Sequence, residues 1–403
     1  YVISQPPAYD LMKENSRPPI YWDTSDGNWL GIFERDWGVR LGNAILNKTN
    51  DLKFEVWRPD ERADDVYTYK FENGLVHKSF PAEKIKIKKN TIIFSKLLIE
   101  AFEYENNIII HVGLNGLIFW YLKDIYYYIP FVATSHGEGF LPINQLFKLR
   151  KNIFNYFLLW KKHCLLKKFV KNVDKITYQS SLTKNTLINS YSAAEDKLYN
   201  ITMGTDFSYF KPIEKDYARE KINVKKKEII ILTVCNLNPR KQIDRLIEIL
   251  KRPEINHFQF TCIIVGIGNK NYSNYIQKIA KPLIKNSKIV FKGRLNNKEL
   301  VYYYNAADLF LQTAYSEAGP VTSMEALACE TPVFSTNTGR VAEILNKYNR
   351  GILVPPYNYE EWTQQLKKFL KGKEIPILER NVAIKYFSWP SIAEKFVNIY
   401  KQF

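Results

Sequence analysis

From residue 229 onward the sequence repeats one unit six times, a short β-rich apolar run followed by an amphipathic stretch. The runs are IIILTV, FTCIIVG, KIVFKG, DLFLQT, TPVFST and GILVPP, and the helical stretches lie near 241–251, 271–285, 297–305, 320–330, 340–346 and 359–371. Six such alternations specify a parallel sheet with helices on both faces. The first half carries the same rhythm less clearly, in the candidate strands KFEVW, NIIIHV, PFVATS, DKITYQ and KLYNIT. At 403 residues the chain exceeds the size at which one core stops growing, so two α/β domains are expected. Their linker is placed at Gly204–Lys227, which holds Pro212, many charges and little apolar periodicity. Domains are accordingly expected at 1–207 and 208–387. In open parallel sheets ligands bind beyond the carboxyl ends of the strands, so function is expected in the loops that follow them.

Composition is that of a soluble globular protein, 46% hydrophobic and 25% charged. Cys164, Cys235, Cys262 and Cys329 are far apart, without a C-x-x-C or local histidine pairing, so they suggest neither a disulfide framework nor a zinc site and read as reduced, cytosolic residues. No apolar run reaches the length of a spanning helix. The N-terminal text shows no leader pattern, and Tyr1 in place of Met suggests a trimmed or partial start.

The formal net charge of +17 implies an anionic partner. Residues 145–175 carry nine Lys and Arg against the single acid Asp174, while residues 1–75 are net negative. The basic stretch reads as a long helix in which Lys148, Lys151, Lys161, Lys162, Lys167 and Lys168 mix with Phe147, Phe154, Tyr156, Phe157 and Trp160. Two readings stay open: an interfacial helix on anionic lipid over 145–171, or a core helix with a solvated basic side. Nucleic acid is not expected, because no nucleic-acid module accompanies the charge.

The richest stretch for chemistry is SEAGPVTSMEALACETPVFSTNTGRVAEIL, residues 316–345. A strand ends near Gln312, Glu317 falls in the following loop, and Gly319 and Pro320 make the turn into a helix that holds Glu325 just over one turn in. Pro320 suits the first helical position, where its missing N–H costs nothing. Both carboxylates are then expected to border one pocket, with free N–H groups around Gly319, Val321 and Thr322 favouring an anion there. Taken alone, two glutamates eight apart are ordinary: a loop acid and a solvated helical one.

In its order of residues this stretch resembles the E-x7-E region of retaining glycosyltransferases of family 4. The matching positions are Glu317, Glu325 and Ala326, then Thr331, Pro332 and Val333, then Thr338, Gly339 and Arg340 before Glu343 and Ile344. Departures are Ala318 and Gly319 for the usual Gly-Phe, Glu330 for Gly, and Arg340 for a second Gly. The segment TVCNLNPRKQIDRLIEIL is similar to the family's strand–loop–helix that sets a Lys and an Arg against the donor diphosphate. There Lys241 matches the Lys, Cys235 and Asn236 replace the usual Gly-Arg pair, and Arg240 supplies the alternative charge. The loop around Gly293 and Arg294 resembles the one that meets the nucleobase, and VGIGNK is a strand-end glycine turn. PFVATSHGEGF is similar to the strand and loop that carry a His beside the transferred sugar, with His136 as the match. MGTDFSYFKP looks like the pre-linker, with Met203 for the usual Asn, and FSWPSIAEKFVNIYKQF like the tail helix that returns to the first domain, about 388–403. Only a loose correspondence covers the first hundred residues, where Gly27, Gly31 and Gly38 lie near the family's acceptor-side glycine loop.

The resemblance implies a GT-B fold, two Rossmann-like doubly wound domains facing across a cleft, with the acceptor on the N-terminal side and the donor on the C-terminal side. It implies transfer of a hexose-type sugar from a UDP- or GDP-sugar to a hydroxyl of a glycan or lipid-linked glycan, with retention. Glu317, His136 and Lys241 are the expected catalytic residues. Arg240, Asn236, Gly293, Arg294, Gly319, Pro320, Val321, Thr322 and Glu325 are expected to bind the donor. No resident cofactor or metal is expected, since the sequence has no Asp-x-Asp to hold a divalent ion. The expected location is cytoplasmic, peripheral on the inner membrane face. A sugar-nucleotide epimerase of the same fold and a non-catalytic membrane or polyanion adaptor are the competing readings.

Overall fold

The computed structural model describes the chain except residues 1, 6–19, 24–28, 33–36, 61, 88–89, 105–106, 115–128, 137–152 and 286–287. Two compact units result, Tyr1–Ile201 together with Trp389–Phe403, and Thr202–Ser388.

The first unit contains strands β1 (Val2–Gln5), β2 (Ile20–Asp23), β3 (Trp29–Ile32), β4 (Phe54–Asp60), β5 (Tyr67–Lys70), β6 (Val76–Pro81), β7 (Glu83–Ile87), β8 (Asn90–Phe94), β9 (Ile109–Gly113), β10 (Phe131–Thr134), β11 (Lys175–Tyr178) and β12 (Leu198–Asn200). Its helices in the same stretch are α1 (Trp37–Leu46), α2 (Lys96–Tyr104), α3 (Ile153–Asn172) and α4 (Ser181–Tyr191). Eight strands form one sheet in the order β12-β11-β10-β9-β1-β4-β6-β5, in which only β5 runs antiparallel. The five candidate strands of this half are β4, β9, β10, β11 and β12. Three further members of the sheet, β1, β5 and β6, escaped the apolar-run criterion. β1 has only Val2 and Ile3 to signal it, and β6 buries the polar side chains of His77 and Ser79. Trp57 stacks on Phe102 (5.2 Å, 6°) within a core that also takes Ile3, Ile110, Phe131 and Val170.

Helix α3 shows a division of faces that the sequence left open. Leu166, Phe169 and Val170 are buried, whereas Trp160, Lys161, Lys167, Lys168 and Lys171 are exposed. Lys148 and Lys151 lie outside the described residues, as does Gly27 in the N-terminal stretch. No described helix is long and apolar enough to cross a membrane.

The second unit holds β13 (Ile230–Val234), β14 (Thr261–Val265), β15 (Ile289–Phe291), β16 (Leu309–Gln312), β17 (Val333–Thr336) and β18 (Ile352–Val354). They form a parallel sheet ordered β15-β14-β13-β16-β17-β18. The helices are α5 (Lys215–Lys221), which precedes β13, and, between and after the strands, α6 (Ile243–Lys251), α7 (Pro253–Asn256), α8 (Lys270–Lys285), α9 (Asn297–Ala306), α10 (Val321–Ala328), α11 (Gly339–Lys347), α12 (Tyr359–Leu370) and α13 (Arg380–Phe387). Every one of the six expected alternations is present. Residues alternate between two cores: Ile230, Leu232 and Phe310 enter one, and Ile231, Leu309 and Leu311 the other. Burial on both faces is why these strands read as unbroken apolar runs. Local signals set the helix ends; α9, for example, starts at a capping box in which Asn296 and Glu299 satisfy each other's backbone N–H.

The expected linker is not one. Residues 204–227 pack into the second unit, burying Phe207, Phe210 and Ala218, and α5 lies against α9. Buried Arg219 donates to Asp308 (2.8 Å) and to the Ala306 carbonyl (3.2 Å), so one of the charges that suggested a solvated connector is an internal partner, while most of the others lie on the outer side of the packed segment. The last helix, α14 (Trp389–Tyr400), belongs to the first unit and packs on α1.

Candidate active site

Parallel order brings the ends of β13 and β16 side by side, and with them residues more than seventy positions apart. Pro239–Lys241 form a single 3₁₀ turn, and Gln242 then adopts a left-handed backbone (φ 51°) before α6 begins. Thr313 donates to the Lys241 carbonyl (2.7 Å) and the Tyr315 N–H to the Arg240 carbonyl (3.1 Å), which straps the two loops together. Helix α6 therefore starts two residues later than its periodicity implied.

At this junction buried Glu317 lies between two cations. One carboxylate oxygen accepts from the Lys241 ammonium, and the other is 3.3 Å from the Arg240 guanidinium, which also donates to the Ser316 carbonyl (2.7 Å). Two positive groups share one negative one, leaving the cluster net cationic. Beyond Glu317 the chain turns through Ala318 and Gly319 to Pro320, which sits at the N-cap of α10 rather than inside it. Its carbonyl accepts from Ser323 and Met324, so the N–H groups of Val321 and Thr322 have no acceptor among the described residues. Such a terminus favours an anion.

Two glycines hold these loops in place. Gly266 has φ +140°, and a Cβ there would come 1.8 Å from the Cys235 carbonyl oxygen. The close approach lets Cys235 donate to Val265 (3.0 Å), Leu237 to Ile267 (2.9 Å) and Gly266 to the Gly293 carbonyl (2.6 Å), so loops after β13, β14 and β15 form one backbone-tied layer. Gly339, at φ +80°, lies where a Cβ would meet the carbonyls of Glu317 and Ala318 at 2.9 and 3.0 Å, and Arg340 donates its N–H to Ala318 (2.7 Å). Asn236 is exposed beside Gly268, and Arg294 is exposed on the loop after β15.

Glu325 takes a different direction. It is buried on α10 and accepts from the Tyr304 hydroxyl of α9 (2.7 Å), a partner that no spacing in the sequence signalled. Burial, with the Glu325 charge beside it, pushes the Tyr304 phenol well above its usual range, so the hydroxyl is a donor at all working pH values. Replacing Tyr304 by Phe removes one charge-assisted hydrogen bond from a buried carboxylate and is expected to cost about 1.5–3 kcal/mol, measured by urea unfolding. An unchanged midpoint would mean that Glu325 is held by other groups alone.

In the first unit, His136 follows β10, its ring edge-on to Trp37 (5.3 Å, 84°). Burial lowers its pKa to about 4, and Nε2 has no hydrogen-bond partner among the described residues. The imidazole is thus neutral at pH 7, with one nitrogen left over. Next to it, His111 lies between Tyr400 (2.5 Å) and Thr134 (2.7 Å), its pKa lowered to about 3 by burial and by His136; His77 is lowered to about 3 by burial and by Arg58. Since the unfolded chain protonates these two near pH 6.5 and the native unit only near pH 3, stability is full above pH 6.5. It falls across that window as pH drops, by about 1.4 kcal/mol per pH unit for each histidine. Urea midpoints at pH 7 and pH 5 test this, and equal midpoints would contradict it.

Residues 214–386 match the family described as glycosyl transferases group 1. Over 405 residues the chain is 21% identical to the D-inositol 3-phosphate glycosyltransferase of Saccharomonospora viridis, covering 94% of this chain and 90% of the relative. Among solved structures, sucrose-phosphate synthase from Thermosynechococcus elongatus superposes with a TM-score of 0.68 at 18% identity, covering 100% of this chain and 98% of that one. Anabaena HepE in complex with UDP gives 0.69 at 13% identity, with 100% of both chains covered. Residues 214–386 are therefore a glycosyl transferases group 1 domain in a chain that has the GT-B fold, and the protein is a glycosyltransferase.

Proposed function

We propose that this glycosyltransferase moves a hexose-type sugar from a UDP- or GDP-sugar to a hydroxyl of a glycan or lipid-linked glycan, with retention of configuration. The observation that carries the reading is the net-cationic cluster of Arg240, Lys241 and Glu317 beside the partnerless N–H groups of Val321 and Thr322. An incoming diphosphate competes with Glu317 for the two cations and gains the helix terminus as well. As the bond to the sugar breaks, negative charge grows on the departing diphosphate, and groups already in position stabilise it without reorganising. Glu317, once its cations turn to phosphate, is released to accept from sugar hydroxyls. Glu325 serves the ribose, Gly293 and Arg294 the base, and the spare Nε2 of His136 a substrate hydroxyl. Attack by the acceptor on the face the diphosphate leaves requires no covalent adduct on Glu317. Two side-chain cations and a helix terminus fill the role that a divalent ion plays elsewhere, so the transfer runs without metal.

HepE was solved with UDP, and this similarity in fold makes a uridine nucleotide the first donor to try. A thermal-shift series with UDP, GDP, ADP and CMP, each in EDTA and in Mg²⁺, tests the reading. One nucleoside diphosphate at a hundred times its Kd should add about 2.7 kcal/mol of stability, equally with and without metal. No shift with any of them would overturn it.

A peripheral position on the inner membrane face fits the exposed row of Trp160, Lys161, Lys167, Lys168 and Lys171 on α3, with Trp160 48% exposed. Changing the four lysines to glutamine should abolish binding to anionic vesicles at low salt; undiminished binding would rule the surface out.

A further inference from the structure

Two tyrosines on the second unit are exposed side by side. Tyr315 follows β16 and is 41% exposed; Tyr357 follows β18 and is 58% exposed. Their rings stack at 6.1 Å and 22°, an offset arrangement that leaves an outer face of each ring open. Beside them Arg245 lies over the Tyr359 ring at 5.1 Å. Tyr357 holds φ +72°, a left-handed backbone that a bulky side chain rarely adopts and that glycine would take freely. Strain of this kind persists only where the surroundings over-determine it, and it clusters at ligand sites.

Sheet order then locates the pair. The loop assigned to the base follows β15 at one edge, the cationic cluster lies at β13 and β16, and Tyr357 follows β18 at the other edge. Tyr315 is two residues before Glu317, its N–H on the Arg240 carbonyl. From β16 to β18 is about 10 Å, two inter-strand spacings. The platform therefore lies on the sugar side of the donor cluster, away from the base, at a reach of one or two pyranose rings.

We propose that Tyr315 and Tyr357 form a stacking platform for a pyranose ring of the glycan acceptor, with Arg245 and the phenol hydroxyls meeting its ring hydroxyls. The apolar C–H face of a sugar lies on an aromatic face, while its hydroxyl rim requires polar partners at the edges, and this patch supplies both. The inference rests on the transferase reading above and adds a subsite on the second unit for a glycan acceptor that the resemblance assigns to the N-terminal side.

Titration of the full chain with maltohexaose, cellohexaose, chitohexaose and mannohexaose, followed by saturation-transfer NMR without nucleotide, tests it. At least one hexaose should bind, and Tyr357→Gly should weaken that binding about ten-fold. This variant relieves the left-handed strain as it removes the ring, so loss of binding is not loss of fold; Tyr315→Ala should act in the same direction. The response to UDP or GDP should be unchanged in both. Equal hexaose affinity in the variants, or no hexaose bound, would overturn the platform while leaving the donor site standing. Loss of the nucleotide response in these variants would also overturn it, by assigning the rings to the base.

Discussion

Lys241→Ala is expected to lower kcat by about 10²–10³ with the fold intact, the loss that follows removal of one preorganised group from a developing oxyanion. The side chain is tethered at both ends: Thr313 holds its backbone carbonyl, and Glu317 holds its ammonium. Once the bound donor has drawn the ammonium from Glu317 to the diphosphate, the charge is already in place as the diphosphate leaves. Arg240 is 3.3 Å from Glu317 and also bonded to the Ser316 carbonyl, so Arg240→Ala should have the same sign and a smaller size. Steady-state kinetics with the donor chosen by the thermal-shift series gives the test. If Lys241→Ala raised KM alone and left kcat untouched, the lysine would bind donor and transition state equally, and the proposed role would fail.

Gly266→Ala should be the most damaging single methyl group in the second unit. The added carbon would lie 1.8 Å from the Cys235 carbonyl oxygen, and φ +140° is closed to alanine, so the turn must move and release the tied backbones of Cys235, Leu237 and Gly293. A combined clash and backbone strain of this kind costs roughly 3–5 kcal/mol, a large part of a domain's typical stability. Calorimetry should show a fall in Tm on the order of 10 °C. A Tm within a degree of the parent would mean that the β13 and β14 loops are not locked together. Because Arg240 and Lys241 follow directly from this layer, donor affinity should fall along with Tm.

Much of the second unit was legible because its strands are buried on both faces. Each strand then appears as an apolar run, and each helix as an amphipathic stretch closed by ordinary caps, as at Asn296. Legibility was lower wherever polar side chains are interior, in either unit. β6 buries His77 and Ser79, and α5 buries Arg219, so composition pointed to surface or linker where the chain is in fact packed.

The candidate site divides along the same line. The order of residues from Glu317 to Ile344 determined the loop–helix turn, the glycine at 339 and the resemblance to sugar transfer, since all of these are local. Tertiary structure alone decided the partners. Parallel pairing of β13 with β16 set Lys241 and Arg240 on Glu317, and the tertiary fold brought the Tyr304 hydroxyl of α9 to Glu325 of α10. Those pairings depend on which strand ends become neighbours, and strand order is chosen by the burial of both sheet faces together, a property that no single segment of sequence contains.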